Sequence, residues 1–447
     1  LQSYCENYES EFNVEKDWLT GGVVRLFHQK TETEQLTDEL RLSRGVNFHY
    51  DRDFFYQQDV NGLRLNFYAN PISTNYSHTI GYGLEWNKTT TTELRNSLQT
   101  NLDTNTSTSI VLSENFPLRD FPISDETNTG IYINDEIKIN NTRWSIVPAI
   151  RFDQYRLDPK PDTIYLEDNL ATDVVAISEN SVTPKLGAVY QMSAGNQFYI
   201  QYIRGFRAPP FEDANIGLDI PLFNIRAIPN PDLKSETSNG YELGYSYSNA
   251  NHRINLASFY NDYKDFIQTK VNLGLDPISG RILFQSQNIE EAKIYGTELS
   301  YQYDRENWLT ENDFLTASVS LFISKGTNKE TSQPLNSIEP NHALLSLLWQ
   351  SPDQDWSIAL HSTLVEGKDA VAQSAAELFT PAGYASFDVI ANYQISEKMN
   401  LSLAINNLSD HKYWRWSDVN GMLVGDPILE SLSAPGINGS LQLKVHW

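Results

Sequence analysis

The stretch Tyr295-Gly296-Thr297-Glu298-Leu299-Ser300-Tyr301-Gln302-Tyr303-Asp304 decides the fold. Its odd positions carry rings, Leu and one Thr, while its even positions carry Gly, Ser, Gln and acids. Successive side chains of a strand point to opposite faces, so this segment is a ribbon with one apolar face and one face fit to line water. The split recurs in Tyr241, Leu243, Tyr245 and Tyr247 against Glu242, Gly244, Ser246 and Ser248, and in Ile80, Tyr82, Leu84 and Trp86 against Gly81, Gly83, Glu85 and Asn87. Phe387, Val389, Ala391, Tyr393 and Ile395 repeat it, with Ile390 as the exception on the polar side. Helical periodicity is nearly absent.

A soluble sandwich alternates too, and the connections separate the two folds. Short turns at Asn140–Asn141, Ala194–Asn196, Ser248–Asn251, Pro352–Asp355 and Glu397–Lys398 join paired strands. Between the pairs run long polar segments near 93–126, 158–180, 209–236, 268–290, 328–340, 368–382 and 410–436. Tight turns on one rim and long loops on the other describe a transmembrane antiparallel β-barrel of the outer membrane. The pattern predicts about 17 strands, beginning near 22–31, 44–56, 61–71 and 78–90 and ending at 437–447. Bacterial single-chain barrels use even numbers, so the odd count signals a miscount or missing strands. Thr89–Thr92 reads as a strand end and Asn101–Ser109 as a solvated loop.

Composition agrees once the protein is taken as apolar outside and polar inside. The 447 residues hold 33 Lys+Arg against 57 Asp+Glu, a formal charge of −24, and 12% are aromatic, with 24 Tyr. That charge excludes nucleic acid as a partner, because phosphate binding needs a basic face. Mean hydropathy is −0.45, as expected where acidic loops and a polar lumen offset an apolar girdle. With Cys5 alone there is no disulfide framework and no Cys-based metal site. The acidic pairs Asp51/Asp53, Asp213/Asp219 and Asp262/Asp265 match no calcium-loop spacing. No nucleophile elbow, phosphate loop or HExxH motif points to an enzyme.

The last strand alternates Leu441, Leu443, Val445 and Trp447 with Gln442, Lys444 and His446, and it resembles the terminal strand of bacterial outer-membrane barrels, which ends in Phe or Trp. Gly205-Phe206-Arg207-Ala208-Pro209-Pro210 closes one strand, and Asn230-Pro231-Asp232-Leu233-Lys234-Ser235-Glu236-Thr237-Ser238 leads into the next. Here the chain resembles the TonB-dependent outer-membrane receptors, in particular the haem/haemoglobin receptor branch, where a Phe-Arg-Ala-Pro box and an Asn-Pro-Asn-Leu box flank an extracellular loop. The first box is complete, and the second has Asp232 in place of Asn. Glu242-Leu243-Gly244, Gln287-Asn288-Ile289 followed by Tyr295-Gly296-Thr297-Glu298, and Asn406-Asn407-Leu408-Ser409-Asp410 with Tyr413 also look like the family. The resemblance covers most of residues 1–447 as one barrel, and no residue matches a plug. It implies an N-terminally truncated receptor with five or so strands missing from the usual count near 22.

By resemblance the chain captures a scarce ligand, haem or haem-protein iron, and imports it across the bacterial outer membrane with energy from the TonB complex, reached through the missing N-terminal region. Haem is then cargo; no resident cofactor or metal is implied, and the partners are TonB, the ligand and outer-membrane lipid. Receptors for ferric siderophores and cobalamin carry related boxes, so that ligand class stays open, as do a plugless porin or adhesin and a soluble all-β protein. Phe206, Arg207, Phe223 and Arg226 are the ligand-binding candidates, although Pro209 and Pro231 can equally fix loop take-off angles and Arg207 can pair with a barrel carboxylate. The branch places an axial His between its boxes, but residues 210–229 contain none. His411 and Tyr413 are the substitutes the sequence offers for a haem ligand.

Overall fold

The computed structural model describes residues 2–16, 18–169, 173–372 and 377–446. Strand β1 (Gln2–Lys16) pairs with β2 (Leu19–Ser43), which turns through Arg44–Gly45 into β3 (Val46–Ala69) and then β4 (Tyr76–Asn101). Three short strands follow, β5 (Thr106–Thr108), β6 (Ile110–Val111) and β7 (Glu114–Asn115), before β8 (Ile123–Ile139) and β9 (Trp144–Lys160). Helix α1 (Thr163–Asp168) leads to β10 (Ile177–Ser193) and β11 (Asn196–Arg207). Helix α2 (Phe211–Asn215), β12 (Leu218–Ile220) and β13 (Ile225–Ala227) precede β14 (Glu236–Ser248) and β15 (His252–Leu275). The remainder comprises β16 (Ile282–Glu306), β17 (Phe314–Asn328), β18 (His342–Gln350), β19 (Trp356–Val365), β20 (Tyr384–Ser396), β21 (Met399–Asn406), α3 (Trp416–Val419) and β22 (Asn438–Val445). Among the described residues, twenty strands belong to one sheet, and β6–β7 make a separate pair.

The chain divides into two compact units. The first comprises Leu1–Leu186, Ile203–Ser238 and Lys264–Glu290; the second comprises Gly187–Tyr202, Asn239–Tyr263 and Glu291–Trp447. In the first, β1-β2-β3-β4-β8-β9 form an antiparallel meander, and β13 adds in parallel to the start of β16. In the second, β16 to β22 continue antiparallel, neighbour to neighbour.

Register in the second unit shows what the alternation is for. Tyr303, Ala317, Leu347, Leu360, Val389 and Ile405 form one row across six strands. One residue along, on the opposite face, runs Gln302, Ser318, Ser346, His361 and Asp388. Leu347 is 48% exposed and Leu360 37% exposed, so the apolar row is no buried core; it is a surface suited to lipid. Polar-face rings lie over glycines of neighbouring strands: a Cβ on Gly244 would come within 2.1 Å of the Tyr199 ring, and one on Gly62 equally close to Phe27.

Several boundaries differ from the sequence reading. Among the described residues the strands of eight or more number seventeen, but the agreement hides two errors that cancel. Strand β1 is unpredicted, because Glu6 and Ser10 interrupt its Tyr4, Tyr8 and Phe12 face, and the expected 44–56 and 61–71 are one strand, β3. The expected loop at 268–290 is mostly strand, the arms of β15 and β16 closing on a tip where Asp276 accepts the N–H groups of Ile278 and Ser279. Thr89–Thr92 lies inside β4, with Thr91 fully buried, and Asn101–Ser109 contains β5. Polar strands are legitimate where a second layer of chain covers them, which single-strand periodicity does not reveal. Trp447 lies outside the described residues.

Candidate functional site

The first box ends β11 and turns inward. Pro209, without an N–H to satisfy, is buried, and the Pro210 carbonyl accepts the N–H groups of Asp213 and Ala214 to start α2. Phe211 and Ala214 bury against Tyr155 and Leu157 on the polar face of β9, with the Phe121 ring edge-on to Phe211 at 5.0 Å. The Tyr155 hydroxyl reaches Glu126 Oε1 at 2.7 Å and the Pro209 carbonyl at 3.3 Å. Asn215 brackets Val175, accepting its N–H at 2.8 Å and donating to its carbonyl at 3.1 Å, while Tyr165 donates to the Asn215 carbonyl at 3.0 Å. Ser286 Oγ donates to Asp213 Oδ1 at 2.7 Å. Much of this short segment's polarity is therefore satisfied by surrounding elements, which is what allows it to be buried.

The second box is built on Asn230. Its Oδ1 accepts the Asp232 N–H at 3.1 Å and its Nδ2 donates to the Ser286 carbonyl at 2.8 Å. The structure uses the backbone of Asp232, whose side chain is exposed, so Asp is accommodated where the branch has Asn. Leu233 is buried, and Asn288 clamps Lys234 through both its N–H and its carbonyl while donating to the Asp265 carbonyl. Glu236 accepts the Ile267 N–H at 2.8 Å; burial pushes its carboxyl up, opposed by that bond and by the Arg207 charge. Asn407 has the same office in the second unit, bonding the carbonyls of His411 and Pro435.

Phe206 lines an open groove of about 480 Å³ with Glu126, Asp153, Tyr155, Arg204 and Pro210. Arg207 is exposed and, among the described residues, has no ion pair within 4 Å, although its charge acts on the Glu236 carboxyl. Arg226 lies half-buried on β13 opposite Asp219, which pairs instead with Arg281 at 2.8 Å. Phe223 falls in the turn Pro221–Phe223, and its side chain lies outside the described residues. These four belong to the first unit. His411 and Tyr413 belong to the second, where His411 is exposed and Tyr413 stacks on Tyr384 at 3.9 Å. Of the acidic pairs, Asp213 bonds Ser286, Asp219 pairs with Arg281 and Asp262 with Lys329 at 3.0 Å, whereas a buried carboxylate oxygen of Asp53 has no hydrogen-bond partner. No metal cluster occurs among the described residues.

Two features escaped sequence reasoning. In the second unit Trp416, Val419 and Leu429 form a loop core, with buried Lys368 over the Trp416 ring at 5.0 Å and bonded to the Ile338 carbonyl. In the first, buried Glu93 and Arg119 and half-buried Arg95 and Asp120 make a charge cluster. Neither has a sequence signature, since each joins loops distant in the chain.

A sequence profile of the family described as "TonB dependent receptor-like, beta-barrel" matches residues 3–408. The chain belongs to this family. It is accordingly an integral β-barrel protein of the bacterial outer membrane, in a family of receptors and transporters. A probable haemoglobin and haemoglobin-haptoglobin-binding protein 3 of Haemophilus influenzae is 23% identical over 287 residues, 50% of this chain and 26% of that one. Haemoglobin-haptoglobin utilization protein B of Neisseria meningitidis is 27% identical over 248 residues, 50% of this chain and 30% of that one. The ferric enterobactin receptor of Pseudomonas aeruginosa is 24% identical over 445 residues, 94% of this chain but 55% of the receptor. The chain thus spans between about a quarter and just over half the length of these relatives. Among solved structures, copper transporter OprC superposes with a TM-score of 0.70 at 13% identity, covering 100% of this chain and 67% of that one. The FrpB iron transporter of Neisseria meningitidis gives 0.64 at 13%, covering 99% and 71%.

Proposed function

We propose that this barrel serves a receptor that captures haem, or iron carried in a haem protein, outside the cell and admits it to the periplasm with energy from the TonB complex. The observation that carries the reading is the similarity to haemoglobin-binding and haemoglobin-haptoglobin-binding proteins across half of the chain. Capture requires positioned contacts and no covalent chemistry. Phe206 in the groove, with Arg207, Phe223 and Arg226 around the same segment, supplies a ring face and cationic groups suited to a planar, carboxylate-bearing ligand. With no His between the boxes, iron ligation falls to His411 or Tyr413 or stays with the haem protein itself.

A ferric siderophore is the second reading, favoured by the ferric enterobactin receptor aligning over 94% of this chain. The test is growth of an iron-starved strain stripped of its own receptors and given the complete gene. Growth on haem or haemoglobin supports the first reading; growth on a ferric catecholate alone sinks it.

A further inference from the structure

Strand β4 continues beyond its apolar-face residues Ile80 to Trp86, and there its polar face carries Glu93 and Arg95 beneath the segment 102–122. Glu93 is 8% exposed. Its Oε2 accepts the Asp120 N–H at 2.9 Å, its carbonyl accepts from the Arg119 guanidinium, and its buried Oε1 has no hydrogen-bond partner.

The cations nearby act on Glu93 through their charge, but their hydrogen bonds go to other carboxylates. Arg95 bonds Asp120 at 3.1 Å and Glu114 at 2.8 Å, and its guanidinium lies over the Phe54 ring. Arg119 Nε bonds Asp162 at 2.8 Å. From β3 the group in register is Tyr56, itself under the influence of Glu126 and Glu212, and Asp168 of α1 adds its field at Asp120 and Glu114. Two guanidiniums thus serve Glu93, Glu114, Asp120 and Asp162, and Glu93 is the carboxyl left with an unmatched oxygen. An unpaired buried charge is costly, so the arrangement favours neutral Glu93. Burial and the Asp120 charge push its carboxyl up to about 7, outweighing the Asp120 N–H bond and the Arg95 and Arg119 charges, which favour the ionised form.

What Glu93 seats is connected to the boxes. The Asp120 carbonyl accepts the Gly217 N–H at 2.7 Å, Phe121 holds Phe211, and the Arg119 carbonyl accepts from Asn169 at 3.5 Å. We propose that Glu93 is a proton-operated latch: when neutral it seats Arg119–Phe121 and, through them, the segment between the two boxes, and when ionised it releases both. Its consequence for ligand capture rests on the proposed function, but its test does not.

Because seating binds a proton, it is strongest below the ordinary carboxylate range and weakens as pH rises through about 7. Hydrogen exchange of the Gly217 amide and of residues 119–121, measured on the chain in detergent micelles and corrected for intrinsic rates, reads this directly. Protection is expected to fall by up to about tenfold per pH unit between about pH 5 and about pH 7, and Glu93→Gln is expected to keep it high throughout. A flat wild-type profile, or the wild-type slope persisting in Glu93→Gln, overturns the proposal. If that variant does not fold, infrared difference spectra of the wild type still decide: a carboxylic acid band must titrate away near neutral pH, and its absence overturns the latch. A strain that fails to grow on haem leaves these outcomes untouched.

Discussion

The side chains of this protein that most resemble those of its family hold loop ends in place. Asn230, Asn288 and Asn407 each both donate to and accept from backbone, a pattern that an amide side chain satisfies with separate donor and acceptor atoms and a carboxylate, an acceptor only, does not. Asp313 does comparable work at the opposite type of connection. It is fully buried in the short link between β16 and β17, accepting from the N–H groups of Trp308, Leu309 and Thr310 and from Trp349 Nε1. Burial pushes its carboxyl up, but Trp349 and the backbone donors outweigh that and bring it to about 2. The stabilisation is therefore present above the ordinary carboxylate range and is lost as pH falls through about 2. Exchange protection of the Trp308, Leu309 and Thr310 amides is expected to hold from neutral pH down to about 4 and to collapse below it. Asp313→Asn is expected to lack it at every pH. Protection of those amides surviving in Asp313→Asn would show that the turn does not depend on the carboxylate.

At the scale of elements, alternation located strands wherever one face is apolar and the other polar, as in β14, β16 and β20. It missed β1, where Glu6 and Ser10 break the face of Tyr4, Tyr8 and Phe12, and it divided β3 in two, where Phe48, Tyr50 and Phe54 put rings on the polar face. Those rings make sense only with Val111, Phe116 and Leu118 folded onto them, a contact between segments that no local pattern announces. The boxes were legible as motifs, while their packing was not, because Phe211 finds Tyr155 and Leu157 from more than fifty residues away. Helix α2 is too short to persist alone, so the burial of Phe211 is what orders it. Phe211→Ala is expected to cost about 3–5 kcal/mol locally. Limited proteolysis should then cut between residues 208 and 235 while the sheet keeps its far-ultraviolet dichroism. Unchanged resistance of that segment would mean its hydrogen bonds, not the ring, hold it.

For the whole molecule, the deciding question is which face meets lipid. The row Tyr303, Ala317, Leu347, Leu360, Val389 and Ile405 is apolar, with Leu347 and Leu360 exposed and the other four half-buried, and the row through Gln302, Ser318, Ser346, His361 and Asp388 is polar. A soluble sandwich would bury the first row against a second sheet; an outer-membrane barrel turns it outward to lipid and leaves the second row to line the lumen. Which of the two rows meets lipid is read by what a charge does at neighbouring positions on β19. Arginine at a lipid-facing position costs about 2–4 kcal/mol near the bilayer midplane and far less toward the interfaces. Leu360→Arg is therefore expected to lower stability by about 2–4 kcal/mol in reversible urea unfolding from lipid vesicles. His361→Arg, one residue away on the polar face, should change it by less than about 1 kcal/mol. Neighbouring positions share depth and backbone environment, so the difference isolates the face. Equal costs at the two sites, or a larger cost at His361, would place the polar row against the membrane and break the assignment on which the barrel reading stands.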